Sequence, residues 1–189
     1  MDKGRLEAFT DGVIAIIITI MVLDLHLPNG ASFAALRTEF PILGVYALSY
    51  VNVGVFWNNH HHMLQASERV NGLVLWMNML LLFWISLLPL VIRWMEETRF
   101  ASVPTASYGA VLVMSAIAYI FLEWALVRCN GPDSKLARAV GNERKGWFSM
   151  AVYLIAIGAA FTHPGISIAL YVLVTMVWFI PDRRIESLS

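Results

Sequence analysis

Charge is scarce in this 189-residue chain. Asp, Glu, Lys and Arg make up 14% of the residues, whereas 59% are hydrophobic. Soluble domains contain about 25% charged and about 45–50% apolar residues, so both departures point to a membrane environment. The formal net charge is zero and provides no overall field for nucleic acid. We therefore expect a membrane protein without a nucleic acid partner.

The chain also lacks the features of disulfide frameworks and of common enzymes. Its single cysteine, Cys129, excludes an intrachain disulfide. There is no Gly-x-Ser-x-Gly nucleophile turn, no Gly-rich phosphate-binding loop and no His-Glu-x-x-His zinc motif. The Thr-Val-Gly-Tyr-Gly loop, which builds carbonyl filters, is also absent. We expect neither an enzyme nor a bound cofactor.

Six apolar segments occupy most of the chain. A helix needs about 20 residues to cross a bilayer core, and the first four segments reach that length. Residues 163–165, His-Pro-Gly, predict a tight hairpin between the last two, which are shorter. We predict an all-α membrane protein in which residues 1–189 form one six-helix transmembrane domain. The segments are 6–25, 41–64, 70–92, 104–127, 146–162 and 165–180.

Lys and Arg are unevenly distributed between the two sides that six spans define. Ten of the 13 lie at the chain ends and in the loops after the second and fourth segments. Cytoplasmic loops are enriched in Lys and Arg, so both termini are predicted to be cytoplasmic. Pro89 lies inside the third segment and predicts a kink there.

The first segment, RLEAFTDGVIAIIITIMVLDL, carries ionisable groups at its start, where they are costly and usually functional. Along one helix, the spacing from Arg5 to Asp11 corresponds to a rotation of about 240° about the helix axis, so the two side chains do not face each other. Each is expected to pair with another helix or a neighbouring subunit. His60 lies at the same predicted depth, so a network of Arg5, Asp11 and His60 is allowed. Such a network is either a structural clamp or a gating element.

Other polar residues lie within or at the ends of spans. His60, His61 and His62 are consecutive, and consecutive helical residues point about 100° apart. They cannot converge on one metal ion, so we expect no metal site. Asn78 and Ser86, like Asn52, are single polar groups that are expected to form interhelical hydrogen bonds.

An aliphatic stripe follows the polar start of the first segment. Ile16, Ile20 and Leu23 share one helical face, and Thr19 lies beside them. Around a symmetry axis, the stripe would form apolar rings that act as a barrier, with Thr19 hydroxyls available to a partly dehydrated ion. In a helix this apolar, however, every face carries such a triple. The pattern alone therefore favours lipid or core packing.

The start of the first segment and WNNHHHML at the end of the second resemble the transmembrane protein 175 family of lysosomal potassium channels. The family signature is Arg-x-x-x-Phe-Ser-Asp, and Thr10 keeps the hydroxyl of the usual Ser. Animal members carry two six-helix repeats, so the single set here implies a prokaryotic-type homotetramer. The matching residues are Arg5, Phe9, Thr10, Asp11, Thr19, Trp57 and His60.

The resemblance implies that the first helix of each subunit lines a central four-fold pore. Ile16 would be the main constriction, with Thr19 linked to selectivity and Ile20 and Leu23 as further layers. Permeant potassium would pass Ile16 and Thr19 with a modest preference over sodium. The network of Arg5, Asp11 and His60 would be the clamp that holds the pore helix against the second helix.

Two other functions stay open at this point. Asp11 and His60 could form the relay of a proton-coupled ion transporter or a proton leak pathway. The chain could instead be a scaffold or lipid-binding protein that supports no flux. In each case we expect a multi-pass protein of a prokaryotic cell membrane in contact with lipid.

Overall fold

The helices follow from the apolar character of the chain, because a helix satisfies its backbone polar groups within one segment. The computed structural model describes residues 3–25, 28, 30–139 and 144–179. Within these ranges the regular structure is helical, as predicted. In chain order the helices are α1 (Lys3–Leu23), α2 (Phe33–Thr38), α3 (Phe40–Gln65), α4 (Gly72–Ser86), α5 (Leu88–Glu97), α6 (Ser102–Asn130), α7 (Lys135–Ala139), α8 (Arg144–Ala159) and α9 (Pro164–Phe179).

Four helical stretches among the described residues are long and apolar enough to cross a membrane. They are α1, α3, α6 and the run Gly72–Glu97, which comprises α4 and α5. The helices α8 and α9 are apolar but have only 16 residues each. At 1.5 Å per residue they are about 24 Å long. The count of six spans therefore stays a prediction.

The run Gly72–Glu97 is interrupted at Leu87, two residues before Pro89. Proline has no N–H, so the carbonyl of Ile85 loses its helical hydrogen bond, and the ring crowds the preceding turn. The interruption lies where Pro89 predicts a kink. It gives the third apolar segment two helical parts.

The helix α6 lies at the centre of the subunit, where it contacts α4, α5, α7, α8 and α9. By contrast, α1 packs against α3, α4 and α5. The helices α8 and α9 form the predicted hairpin, in which Ser167 Oγ donates to the carbonyl of Ala156 at 2.7 Å. This arrangement leaves α1 at the edge of the subunit, with one side covered.

Asn52 forms the interhelical hydrogen bonds predicted for it. Its Nδ2 donates to Tyr108 Oη on α6 at 3.4 Å, and its Oδ1 accepts from Thr175 Oγ1 on α9 at 2.9 Å. Ser86 differs, because its hydroxyl donates to the carbonyl of Phe83 on its own helix at 2.7 Å. The interhelical bond predicted for Ser86 is therefore replaced by a local one.

The loop between α3 and α4 is held from two sides. Lys3 Nζ, at the start of α1, donates to the carbonyl of Leu64 at 3.1 Å. Asn130 Oδ1, at the end of α6, accepts from the backbone N–H groups of Glu68 and Arg69 at 2.9 Å each. The start of α1 thus lies beside the end of α3, as the topology predicted, and polar residues of the two helices come within reach of each other.

Candidate functional site

One side of α1 is covered by the rest of the subunit. Covered residues recur every three or four positions, which is the spacing of one helical face. Their burial against the neighbouring helices sets the rotation of α1 about its axis. The covered residues are Leu6, Thr10, Ile14, Ile17 and Met21.

The predicted filter residues lie on the other side. Ile16 is 58% exposed, Ile20 42% and Leu23 80%, and Thr19 is exposed as well. The described part of the subunit leaves this stripe uncovered, so it is available to another subunit, to lipid or to an aqueous pore. We call this surface the open face of α1.

The hydroxyl of Thr19 donates a hydrogen bond within its own helix. Thr19 Oγ1 donates to the carbonyl of Ile16 at 2.8 Å. The oxygen keeps its lone pairs, so the group that Thr19 offers outward is an acceptor. An acceptor oxygen suits a partly dehydrated cation.

Phe9 and Arg5 extend the open face toward the start of α1. Phe9 is 50% exposed, and Arg5 is exposed too. Between positions 5 and 16 the helix makes three full turns plus about 20° of rotation, so Arg5 and Ile16 project in nearly the same direction. Arg5 is therefore aligned with the aliphatic stripe rather than with Asp11.

Asp11 is bound by Trp57 on α3. Trp57 Nε1 donates to Asp11 Oδ1 at 2.8 Å, and both side chains are exposed at the surface of the subunit. The indole N–H can only donate and an ionised carboxylate can only accept, so the two groups are complementary. A donor to a charged acceptor makes one of the stronger kinds of hydrogen bond. The pair joins α1 to α3.

A second, buried set of hydrogen bonds joins α1, α3 and α4 through Asn78. Asn78 Nδ2 donates to Thr10 Oγ1 at 2.9 Å, and Asn78 Oδ1 lies 2.8 Å from His60 Nε2. Because an amide oxygen only accepts, His60 Nε2 carries the hydrogen. All three side chains are at most 2% exposed. The hydroxyl of Thr10 thus binds an amide on a third helix.

The structure divides the network that the sequence allowed. Within the described residues, Arg5, Asp11 and His60 do not bind one another: Asp11 pairs with Trp57 and His60 with Asn78. The reason is helix geometry, since Thr10 and Asp11 are adjacent and point about 100° apart. The interhelical hydrogen bond predicted for Asn78 is confirmed. Its position between Thr10 and His60 was not predicted from the sequence.

Among the three consecutive histidines, His60 and His61 contact different partners, and the ring of His62 lies edge-on to that of His61 at 5.8 Å between centroids. His60 binds Asn78 in the core. The His61 ring stacks on Trp57, with 5.8 Å between centroids and 17° between planes, and its Nε2 lies 2.9 Å from Gln65 Nε2. The rings of His60 and His61 therefore point in different directions, which follows from the helical spacing.

An open groove of about 550 Å³ lies between α1 and α3. Ile14, Ile18 and Gly54 contribute to its lining, and Asp11 and Trp57 border it. Most of the lining is aliphatic or aromatic. The groove therefore offers an apolar surface beside the open face of α1.

Comparisons with known proteins point to one family. A family model described as the endosomal/lysosomal potassium channel TMEM175 matches residues 5–89. The potassium channel HX13_20290 of Chryseobacterium sp. (strain P1-3) is 50% identical over 98% of this chain and 97% of its own length. The endosomal/lysosomal proton channel TMEM175 of Gallus gallus is 28% identical over 85% of this chain but 36% of its own length.

A solved structure is also similar. It is the crystal structure of a lysosomal potassium-selective channel TMEM175 homolog from Chamaesiphon minutus. The TM-score is 0.79, with 23% sequence identity, and the match covers 94% of this chain and 96% of the other. At this identity the similarity establishes a shared fold.

Proposed function

The chain belongs to the TMEM175 family of endosomal/lysosomal potassium channels, and we propose that it conducts potassium ions across a membrane as a homotetramer. This is an ion channel family, so the activity is passive conduction rather than catalysis. One observation carries the proposal: the open face of α1, with Ile16, Thr19, Ile20 and Leu23 uncovered by their own subunit. Four such faces around a common axis would enclose a pore.

The open face suits a pore better than it suits lipid. Thr19 places an acceptor oxygen on it, and Arg5 places a guanidinium group at its start. A surface in contact with hydrocarbon gains nothing from either group, because polar and charged side chains are costly there. The apolar groove between α1 and α3 supports the same arrangement, since a neighbouring subunit could pack against it.

Ion selection would take place at Ile16 and Thr19. A narrow aliphatic ring loses its water, so an ion crosses it only after shedding part of its hydration shell. Thr19 lies about 4.5 Å further along the helix and would present a ring of acceptor oxygens. Potassium gives up water more readily than sodium, which favours potassium modestly in the absence of carbonyl rings. Ile20 and Leu23 would add two further apolar layers.

The polar contacts of α1 would act as a clamp that holds the pore helix in place. The hydrogen bond between Asp11 and Trp57 joins α1 to α3. The hydrogen bond from the Asn78 amide to Thr10 joins α4 to α1. A helix held in this way keeps its open face directed toward the axis. Arg5 lies outside the clamp and would stand at the pore entrance, with Phe9 between it and the filter.

Topology and location are part of the same proposal. We propose six spans, with α8 and α9 as the last two, and both termini on the cytoplasmic side. The distribution of Lys and Arg supports this orientation. The 50% identity to a Chryseobacterium channel supports a multi-pass protein in the plasma membrane of a prokaryote.

The decisive experiment measures currents of the purified full-length protein in planar bilayers, with potassium on one side and sodium on the other. Wild type should give discrete potassium currents. Ile16→Asn should raise conductance and reduce the preference for potassium, because the apolar barrier becomes wettable. The matched control is Val22→Asn, an exposed residue of the same helix about 120° away from Ile16.

The outcome for this pair of variants tests the assigned pore face. The control should leave conductance and ion preference unchanged. If Ile16→Asn behaves like wild type while Val22→Asn alters the currents, a different face of α1 lines the pore. Silent wild-type bilayers would instead support a scaffold or lipid-binding protein.

Proton movement is the second candidate function. The Gallus gallus relative is a proton channel, and His60 lies close to Asn78 and Thr10 in the core. Within one subunit, however, the relay pair Asp11 and His60 do not bind each other. Asp11 binds the Trp57 indole and His60 binds the Asn78 amide, and neither group readily passes a proton. Flux that saturates and follows an imposed pH gradient would support a coupled transporter. Continuous single-channel potassium current would exclude one.

A further inference from the structure

Three cations lie close together in sequence at the end of α6 and on α7: Arg128, Lys135 and Arg138. All three side chains are exposed. None of them makes an ion pair with a described residue. The end of α6 also contacts the loop beside the start of α1 through Asn130, so these cations share an end of the subunit with Lys3. No carboxylate in the described part of the chain neutralises them, and their exposure presents the charge at the surface.

The guanidinium of Arg128 is held against an exposed tryptophan. Its Cζ lies 5.3 Å from the centroid of the Trp124 ring, one turn earlier on α6. A cation over an aromatic face is attracted by the ring electrons. Exposed Trp side chains in membrane proteins concentrate at headgroup depth, because one edge is polar and the body is apolar. The pair thus places a fixed positive charge at the level of the lipid phosphates.

The short helix α7 presents two more cations in a defined direction. Gly131, at φ +96°, ends α6, and Ser134 Oγ accepts the N–H three residues on at 3.1 Å, which caps α7. Leu136 is 2% exposed and fastens α7 to the subunit. Lys135 and Arg138 are three residues apart, so they lie on neighbouring positions of one face, away from Leu136. Burial of Leu136 therefore directs both charges outward.

Exposed aromatic side chains on α6 and α8 favour a lipid over a soluble anion. Trp124 lies under Arg128, and α8 packs against α6 and exposes two more. Trp147 and Phe148, at the start of α8, are 70% and 47% exposed. Aromatic surface of this kind suits the acyl chains and glycerol region next to a headgroup, whereas free phosphate or nucleic acid would use the charges alone. We propose that the end of α6 and α7 form a binding surface for the phosphate headgroup of anionic phospholipids, with Arg128, Lys135 and Arg138 as its cationic residues.

The proposal goes beyond ion conduction and is tested without it. Purified full-length protein in a neutral detergent is titrated against fluorescent phosphatidylglycerol, and against phosphatidylcholine with the same fluorophore, by anisotropy. Each Lys or Arg near an anionic surface contributes roughly fivefold in affinity. The triple variant Arg128→Gln, Lys135→Gln, Arg138→Gln should therefore lose the preference for phosphatidylglycerol. The control Arg37→Gln, Arg99→Gln removes two exposed cations elsewhere and should keep it.

Several outcomes would overturn the proposal. These are equal binding of the two lipids by wild type, an unchanged triple variant, or an equal loss in the control variant. Displacement of the lipid probe by excess inorganic phosphate would assign the site to soluble anions. If the triple variant fails to fold, the single variants Lys135→Gln and Arg138→Gln replace it, because both residues are exposed. Each should lower the affinity for phosphatidylglycerol about fivefold. Unchanged affinity in both would contradict the proposal.

Discussion

Gly109 lies on α6 at the point where the Tyr171 side chain of α9 packs against it. A methyl group at this position would collide with the Tyr171 hydroxyl and lie 2.8 Å from Ile157 Cγ1. Tyr171 cannot move away cheaply, because it is fully buried and its hydroxyl donates to the carbonyl of Thr105 at 3.0 Å. We expect Gly109→Ala to lower the free energy of unfolding by about 1–3 kcal/mol, measured by thermal unfolding in detergent.

The control for this substitution is Gly158→Ala on α8. The added methyl group would meet no atom within 4 Å. Alanine is the better helix former by about 0.5–1 kcal/mol, so stability should be unchanged or slightly higher. Equal melting temperatures for the two variants would contradict the close packing at Gly109.

Asn78 is the residue on which the buried part of the proposed clamp depends. Asn78→Leu keeps the approximate volume but leaves Thr10 and His60 buried without this partner, which costs about 1–3 kcal/mol. We expect a lower melting temperature in detergent. Ser86→Ala is the control, because the Ser86 hydroxyl is exposed and bonds only within its own helix. Wild-type melting of Asn78→Leu would show that the amide contributes little.

At the scale of elements, the turn from α5 to α6 is built on two residues with left-handed backbone. Arg99 has φ 50° and Phe100 φ 61°, and Phe100 N–H donates to the carbonyl of Met95 at 2.8 Å. This conformation costs a residue with a Cβ about 1–2 kcal/mol, and glycine avoids the cost. We expect Arg99→Gly to raise the free energy of unfolding by about 0.5–1 kcal/mol, since glycine also gains freedom in the unfolded chain.

The matched control for this turn is Arg99→Ala, which removes the exposed charge but keeps the Cβ. It should melt close to wild type, whereas Arg99→Gly should melt about 1–4 °C higher. If alanine and glycine stabilise equally, the effect comes from the lost charge and not from the backbone. This comparison separates the two causes.

At the scale of the whole molecule, the proposed tetramer brings four copies of the open face together. In a Cys129→Ser background, Leu23→Cys places a thiol at the most exposed position of that face. Cysteines from adjacent subunits can bridge when their Cα atoms are about 4.4–6.8 Å apart. Mild oxidation should therefore produce disulfide-linked dimers on a denaturing gel.

The control for cross-linking is Ile17→Cys in the same background. Ile17 is 3% exposed and faces the interior of its own subunit, so no dimer should form. Dimers from Val22→Cys but none from Leu23→Cys would place a different face of α1 between subunits. Monomers in every case would contradict the tetramer.

Much of the architecture was predictable, because apolar runs longer than about 20 residues have few alternatives to a helix in a membrane. The hairpin at His163 and the break near Pro89 were also predictable, because each depends on a proline, whose effect on the backbone is local. The partners of polar residues were not. Asp11 pairs with Trp57 rather than His60, and an Asn78 amide lies between His60 and Thr10. Spacing along one helix does not reveal which neighbour each face meets.

The sequence by itself determined the helical class, the apolar segments and, through Arg5, Phe9, Thr10 and Asp11, the family. Only the tertiary structure decided which face of α1 is covered and which is open. The physical reason is that lipid and protein interior are about equally apolar, so hydropathy along a membrane helix does not distinguish its faces. Packing of Ile14 and Ile17 against the neighbouring helices makes that choice and leaves the opposite stripe uncovered.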